Sequence, residues 1–246
     1  MLIETNYRRM ENTLGVLGTR HGTDKVTDHG YHRFYHEVLS NLRDKAFNML
    51  EIGVAGYNSI DMWKAYFPQA KIYGLDINTE YRDERICVFK ADQSNTDQLQ
   101  NIITQIPGRC DFIIDDGSHL PEHQCLTFDL FFRELLQEGG TYIIEDIEVS
   151  YWKRGGLYGY STAYGIGNSS SIIEKFKYAV DFINARYIGS DDNRQLMVKV
   201  GGAFSLDTLN MISTVTFGQN CIIIKKKQPY EYRYTVERPY RFADYI

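Results

Sequence analysis

No stretch of the 246-residue chain approaches the roughly 18 consecutive apolar residues that a membrane-spanning helix needs. The opening residues, MLIETNYRRMENTLG, hold no apolar run of the kind that precedes a leader cleavage site. A cytoplasmic protein with no membrane partner is expected. The four cysteines, Cys87, Cys110, Cys125 and Cys221, stand far apart and form no C-x-x-C pair, which argues against a cysteine zinc site and a disulfide framework. His29, His32 and His36 lie close together, but H-R-F-Y-H lacks the Glu that a zinc-hydrolase helix carries after its first His. Excess basic charge is missing too. With 27 Lys and Arg against 32 Asp and Glu, the net charge of -5 repels a phosphate backbone, so nucleic acid is not expected as a partner. The chain shows no internal repeat and no low-complexity segment.

What is present is an ordinary globular balance, 43% hydrophobic and 24% charged, with an unusual store of 19 Tyr and 13 Phe. Tyrosine is suited to surfaces packed on one side and wet on the other, such as sugar sites and subunit contacts, and it equally serves a tyrosine-rich core. Short apolar runs at 47–54, 71–77, 86–92, 110–116 and 140–146 alternate with amphipathic stretches at 59–66, 95–106 and 121–136. That alternation predicts an α/β fold with a doubly wound, mostly parallel sheet and crossover helices. Ser171 and Glu174 form a capping box ahead of a helix to Asn184. Runs at 211–217 and 221–227 read as a closing antiparallel pair, which makes seven strands. The glycine- and tyrosine-rich segment 153–170 reads as a loop. Tyr230, Tyr232 and Tyr234 alternate with charged residues, as on an edge strand or in a homo-oligomer contact. The expected divisions are an N-terminal helical cap at 1–45, a catalytic α/β domain at 46–228 and a tail at 229–246.

In an open α/β sheet the ligand crevice lies beyond the carboxyl ends of the strands, and this chain ends several strands in acids. The first run ends in Glu51-Ile-Gly53-Val-Ala-Gly56. A dinucleotide fingerprint would have glycine where Glu51 stands, because a carboxylate repels pyrophosphate. S-adenosylmethionine has no phosphate and carries an ammonium and a sulfonium, so the pattern, with Asp76 placed for ribose hydroxyls, reads as a methyl-donor site. Asp92 and Gln93 are placed to face the adenine, with a helix-capping Asp92 as the alternative. Asp115, Asp116, Glu145 and Asp146 end two strands expected to lie about 4.8 Å apart. Such crowding calls for bound protons or a hard divalent cation, and Mg²⁺ held by Asp116, Glu145 and Asp146 is expected, with Asp115 turned toward the donor. Acids that merely cap the following helices are the competing reading. His119, three residues past Asp116, is the expected general base, and His123 is expected on a helix surface.

Taken together, GTDK at 22–25, His29-Gly-Tyr31, LEIGVAGYNSIDMWKAYFP, IYGLDI, Asp92-Gln93, FIIDDGSH and IIEDIEVSYW ending at Trp152 resemble the Mg²⁺-dependent sugar O-methyltransferases of the macrocin and mycinamicin type. The resemblance covers residues 20–152 and becomes general beyond them. It implies a class I methyltransferase that moves a methyl group from S-adenosylmethionine to a sugar hydroxyl and releases S-adenosylhomocysteine. Asp116 and His119 would be catalytic, and Asp116, Glu145 and Asp146 would hold Mg²⁺. Donor contacts would come from Thr23, Lys25, Glu51, Gly53, Ser59, Asp76, Asp92, Gln93 and Asp115, although Thr23 and Lys25 also fit a solvated turn. Trp152 and Tyr158, with Tyr160 and Tyr164, would close on the acceptor. A nucleotide-linked sugar, a polysaccharide residue and a glycosylated natural product all suit the site. The macrolide enzymes have a large N-terminal extension not seen in this sequence, so a different acceptor surface is expected. A catechol-type O-methyltransferase and a non-methylating nucleotide-binding protein are the alternatives.

Overall fold

The computed structural model describes residues 13–187 and 202–234. Among the described residues ten strands form: β1 (Asn48–Ile52), β2 (Lys71–Asp76), β3 (Tyr81–Arg82), β4 (Ile86–Lys90), β5 (Cys110–Asp115), β6 (Leu136–Glu145), β7 (Gly155–Leu157), β8 (Tyr160–Thr162), β9 (Ile212–Gly218) and β10 (Cys221–Lys226). Eight make one sheet in the order β3-β4-β2-β1-β5-β6-β10-β9, and β7 and β8 pair by themselves. The β1, β2, β4, β5 and β6 pairings are parallel, whereas β10 runs antiparallel to both β6 and β9.

The helices are α1 (Leu14–His21), α2 (Asp24–Thr27), α3 (His32–Leu39), α4 (Asn58–Tyr66), α5 (Thr96–Gln105), α6 (Pro121–Glu134), α7 (Ile172–Ile183) and α8 (Leu206–Met211). A parallel sheet must be covered on both faces, which is why its central strands are apolar on both sides. One face packs α5 to α8 around Phe128, whose ring meets Phe132, Tyr142, Phe176 and Phe204 at centroid distances of 4.7 to 5.2 Å. The other packs α4 and the N-terminal helices around Trp63, which touches Tyr35, Phe67 and Phe112. Residues 13–45 thus share a core with the sheet, and this anchors Thr23 to Tyr31 beside its carboxyl edge.

All seven strands read from the sequence are present, and the fold is α/β with a mostly parallel sheet. The two-residue β3 at the edge is additional; at that length no alternation is visible. The segment read as a loop at 153–170 contains the β7–β8 hairpin, because Tyr158 at φ 50° and Gly159 at φ 86° make the tight two-residue turn between Leu157 and Tyr160. Helix α6 stops at Glu134 and β6 starts at Leu136, ahead of Gly139 and Gly140, with an irregular register against β5 absorbing the glycines. Within the tail, Pro229–Tyr234 forms a 3₁₀ turn where a strand is one expectation, and residues 235–246 lie outside the described ones. Ser171 Oγ caps α7 by accepting from Glu174 N at 3.3 Å, as the capping motif requires.

Candidate active site

The winding reverses between β1 and β5, so a crevice opens beyond their carboxyl ends. It is a cavity of about 920 Å³. Its floor needs glycine at position 53, where φ is +83° and an added Cβ would lie 1.9 Å from Asp116 O. The close approach that Gly53 permits is thus also one between two loops of the protein itself.

Lys25 enters from α2 and is 1% exposed. Its ammonium contacts Asp116 Oδ2, Glu145 Oε2 at 2.5 Å and Glu51 Oε1 at 3.2 Å. Burial would lower its pKa, but Asp116, Glu145 and Glu51 hold it well above the ordinary lysine value. One cation for three carboxylates leaves a deficit. Burial pushes Glu51 and Glu145 up to about 7 against the pull of Lys25. Burial also acts on Asp116, but there Lys25 and His119 prevail and hold it at about 2.

At the cavity wall, one ligand atom from each of Asp116, His119 and Asp146 lies within 4.8 Å of the other two. His119 Nε2 is 3.2 Å from Asp116 Oδ1 and 3.4 Å from Asp146 Oδ2. Burial works against the imidazolium, but the hydrogen bond and charge of Asp116 and the charge of Asp146 raise its pKa. His119 and Asp146 both adopt left-handed backbone, at φ 59° and 50°. Such conformations cost energy in non-glycine residues and persist where surrounding structure imposes them. The two hard carboxylate oxygens suit Mg²⁺, which takes few protein ligands and keeps water, and His119 stands beside them. The expected trio of Asp116, Glu145 and Asp146 is arranged differently. Glu145 is fully buried, its oxygens directed at Lys25 and the Tyr35 hydroxyl, and it does not line the cavity.

Thr23, Gly53, Ser59, Asp76, Asp92 and Gln93 all line the cavity. Asp76 accepts from the backbone N–H groups of Val54, Ala55, Asn78 and Thr79 at 2.8 to 3.2 Å. Burial would raise its pKa, but these four donors hold the carboxylate below its usual value and make it an organiser of both loops. Asp92 accepts from Ser94 N and Oγ, while Asn95 caps α5. Gln93 accepts from Ser118 N and donates to Asp115. Lys25, Glu51 and Asp115 lie beneath the wall and do not line it. Glu51 accepts from Ser59 Oγ at 3.0 Å, and Asp115 is held by Gln93 and Thr127. Burial pushes Asp115 up to about 6.

The β7–β8 hairpin stands at the mouth. Tyr158 and Tyr160 line the cavity, with the Tyr158 ring 6.3 Å from His119 and the Tyr160 ring 5.2 Å from His123. Trp152 is half-buried at the base of the hairpin and is not a lining residue. Tyr164 turns to Glu122 at 2.6 Å. His123 faces the cavity and not open solvent, because Ser118 Oγ bonds its Nδ1 at 2.8 Å and draws it inward. Tyr35 and Asn220 reach the acids from remote elements, and no sequence pattern marks them.

No protein-family model matches the chain. Among curated proteins, 8-demethyl-8-alpha-L-rhamnosyl tetracenomycin-C 2'-O-methyltransferase of Streptomyces olivaceus is 35% identical over 176 residues, 68% of this chain and 46% of that protein. Mycinamicin VI 2''-O-methyltransferase of Micromonospora griseorubida is 34% identical over 191 residues, 74% of this chain and 46% of that protein. The crystal structure of the MycE methyltransferase of the mycinamycin pathway, in complex with Mg and SAH, superposes with a TM-score of 0.73 at 29% identity, covering 88% of this chain and 55% of that one. The chain spans about half the length of the curated relatives it matches. It is a homologue of the macrocin- and mycinamicin-type sugar O-methyltransferases, with a class I methyltransferase fold.

Proposed function

We propose that the chain is a Mg²⁺-assisted, S-adenosylmethionine-dependent O-methyltransferase acting on a sugar hydroxyl of a glycosylated small molecule. The observation that carries this reading is the convergence of Asp116, His119 and Asp146 on the wall of the cavity beyond β1 and β5. The relatives' names point the same way: they are sugar O-methyltransferases of glycosylated natural products, and MycE was crystallised with Mg and SAH.

The donor occupies the part of the cavity between Gly53, Asp76 and Gln93, and the acceptor enters beneath Tyr158 and Tyr160. Asp116 and Asp146 are the metal ligands of this reading. Held by Asp116 and Asp146, the cation would supply Lewis acidity that makes an alkyl hydroxyl more acidic. His119 then takes the hydroxyl proton at Nε2. The freed oxygen lone pair forms the new bond to the methyl carbon as the carbon–sulfur bond breaks, and its electrons neutralise the sulfonium to leave S-adenosylhomocysteine. Asp116 and Asp146 hold the imidazolium once it forms, and the hairpin aromatics exclude water. Glu51 and Lys25 serve this site from below as a buried charge pair. A homo-oligomer and a cytoplasmic location complete the proposal; sedimentation velocity tests the first. Among the described residues no helix is long and apolar enough to cross a membrane.

The test is calorimetric titration of S-adenosylmethionine and S-adenosylhomocysteine with and without Mg²⁺, beside an Asp116→Ala variant, followed by methyl transfer to glycosides and to catechols. Donor binding, a Mg²⁺ site lost in the variant and turnover of glycosides alone support the reading. Absence of donor binding, or turnover of catechols alone, rejects it.

A further inference from the structure

Asp146 directly follows β6 and is 6% exposed, and its carboxylate cannot rotate freely. Tyr31, fully buried between α2 and α3, reaches it across 115 residues of sequence. The Tyr31 hydroxyl has one proton and two acceptors in range, Asp146 Oδ1 at 2.5 Å and Asn220 O at 3.2 Å; the shorter contact to the charged oxygen is the stronger. Its lone pairs accept from Asp146 N at 3.2 Å and Asn220 Nδ2 at 2.9 Å. Asn220 Nδ2 also lies 2.9 Å from Asp146 Oδ1. His29 stacks on the Tyr31 ring at 5.1 Å and brings Nε2 to 3.7 Å from the same oxygen.

Tyr31, Asn220 and His29 all approach Oδ1. Oδ2 is left to face His119 at 3.4 Å and the cavity. Asn220 gets there through the tight β9–β10 turn, where its φ of 60° is a backbone state that asparagine tolerates better than most residues. The pairing of Cys221 with Glu145 sets that turn beside the end of β6.

We propose that Tyr31 and Asn220 are positioning residues for the metal centre, clamping Asp146 through Oδ1 so that Oδ2 is presented to a divalent cation. The proposal rests on the reading of Asp146 as a metal ligand. It gives the N-terminal segment and the C-terminal hairpin a shared task that neither performs alone.

Two variants that keep the local backbone test it. Tyr31→Phe keeps the ring and its stacking but removes the hydroxyl, and Asn220→Gly keeps the left-handed turn but removes the amide. Mn²⁺, a paramagnetic stand-in for Mg²⁺, is titrated into each by electron paramagnetic resonance, with S-adenosylhomocysteine affinity and the thermal midpoint measured alongside. The expected result is Mn²⁺ binding weakened about ten- to hundredfold, the range typical of groups that orient metal ligands, with S-adenosylhomocysteine affinity nearly unchanged. Activity would then recover at saturating Mg²⁺, which a general structural defect would not allow. Unchanged Mn²⁺ affinity in either folded variant, with a binding wild type, overturns the clamp. A wild type that binds no Mn²⁺ overturns the metal reading beneath it.

Discussion

Lys25 Nζ lies 2.5 Å from Glu145 Oε2 across 120 residues of sequence, and this contact ties the N-terminal segment to the end of β6. The same ammonium reaches Glu51 and Asp116, so a single cation neutralises part of the charge on three carboxylates. Removing one partner of a buried ion pair costs far more than a surface pair is worth, because the charge left behind has no solvent. Lys25→Met is therefore expected to destabilise the protein by about 3–5 kcal/mol. Adding Glu145→Gln to it should restore part of that loss. Chemical denaturation of the single and double variants checks both; equal stability of Lys25→Met and wild type would remove Lys25 from this role.

Stability should depend on pH in a direction the site dictates. Burial raises Glu51 and Glu145 to about 7 and Asp115 to about 6, and the folded protein binds more protons than the unfolded chain wherever those values exceed the unfolded ones. Their contribution is present in full below the unfolded carboxylate pKa and is lost as pH rises through the folded values. His119, also raised, acts in the same sense. His32 and His123, lowered mainly by burial, act in the opposite sense and soften the trend. The thermal midpoint of metal-free protein is expected to fall from about pH 5 to about pH 8, and Mg²⁺ should reduce the fall. A midpoint that climbs steadily over that range would contradict this account of the buried acids.

Gly53→Ala should be severe for a reason that has nothing to do with side-chain chemistry. Its φ of +83° strains any other residue, and the new Cβ would meet Asp116 O at 1.9 Å. Separation of the two loops would displace Asp116 and open the donor floor. A stability loss of at least about 2 kcal/mol is expected, with weaker S-adenosylhomocysteine binding. Circular dichroism melts beside calorimetry would show it, and a variant that binds and melts like the wild type would exclude the close approach.

His119→Asn tests the proposed base while respecting the backbone, since asparagine tolerates the φ of 59°. Methyl transfer should drop about 10²- to 10⁴-fold, the usual share of a general base. S-adenosylhomocysteine affinity should stay near the wild-type value. Retained turnover would assign the proton transfer to another group.

Much of the site could be read along the chain because its parts sit on local patterns. Asp76, Asp116 and Asp146 lie at or just past strand ends that apolar runs make visible, and His119 follows one of them within three residues. Their order and spacing, like the alternation of strands and helices, are properties of the sequence itself: periodicity decides which face of each element is apolar, and therefore what it must pack against. The partners of these residues were decided elsewhere. Lys25 lies under the cluster, Glu145 turns away from the cavity, and Tyr31 and Asn220 meet at Asp146 only because the sheet order brings β1, β5, β6 and the β9–β10 turn to one edge while α2 and α3 dock beside them. Hydrogen bonds and ion pairs act over about 3 Å, so groups more than 100 residues apart in sequence become partners only when the buried cores on both faces of the sheet fix their distance.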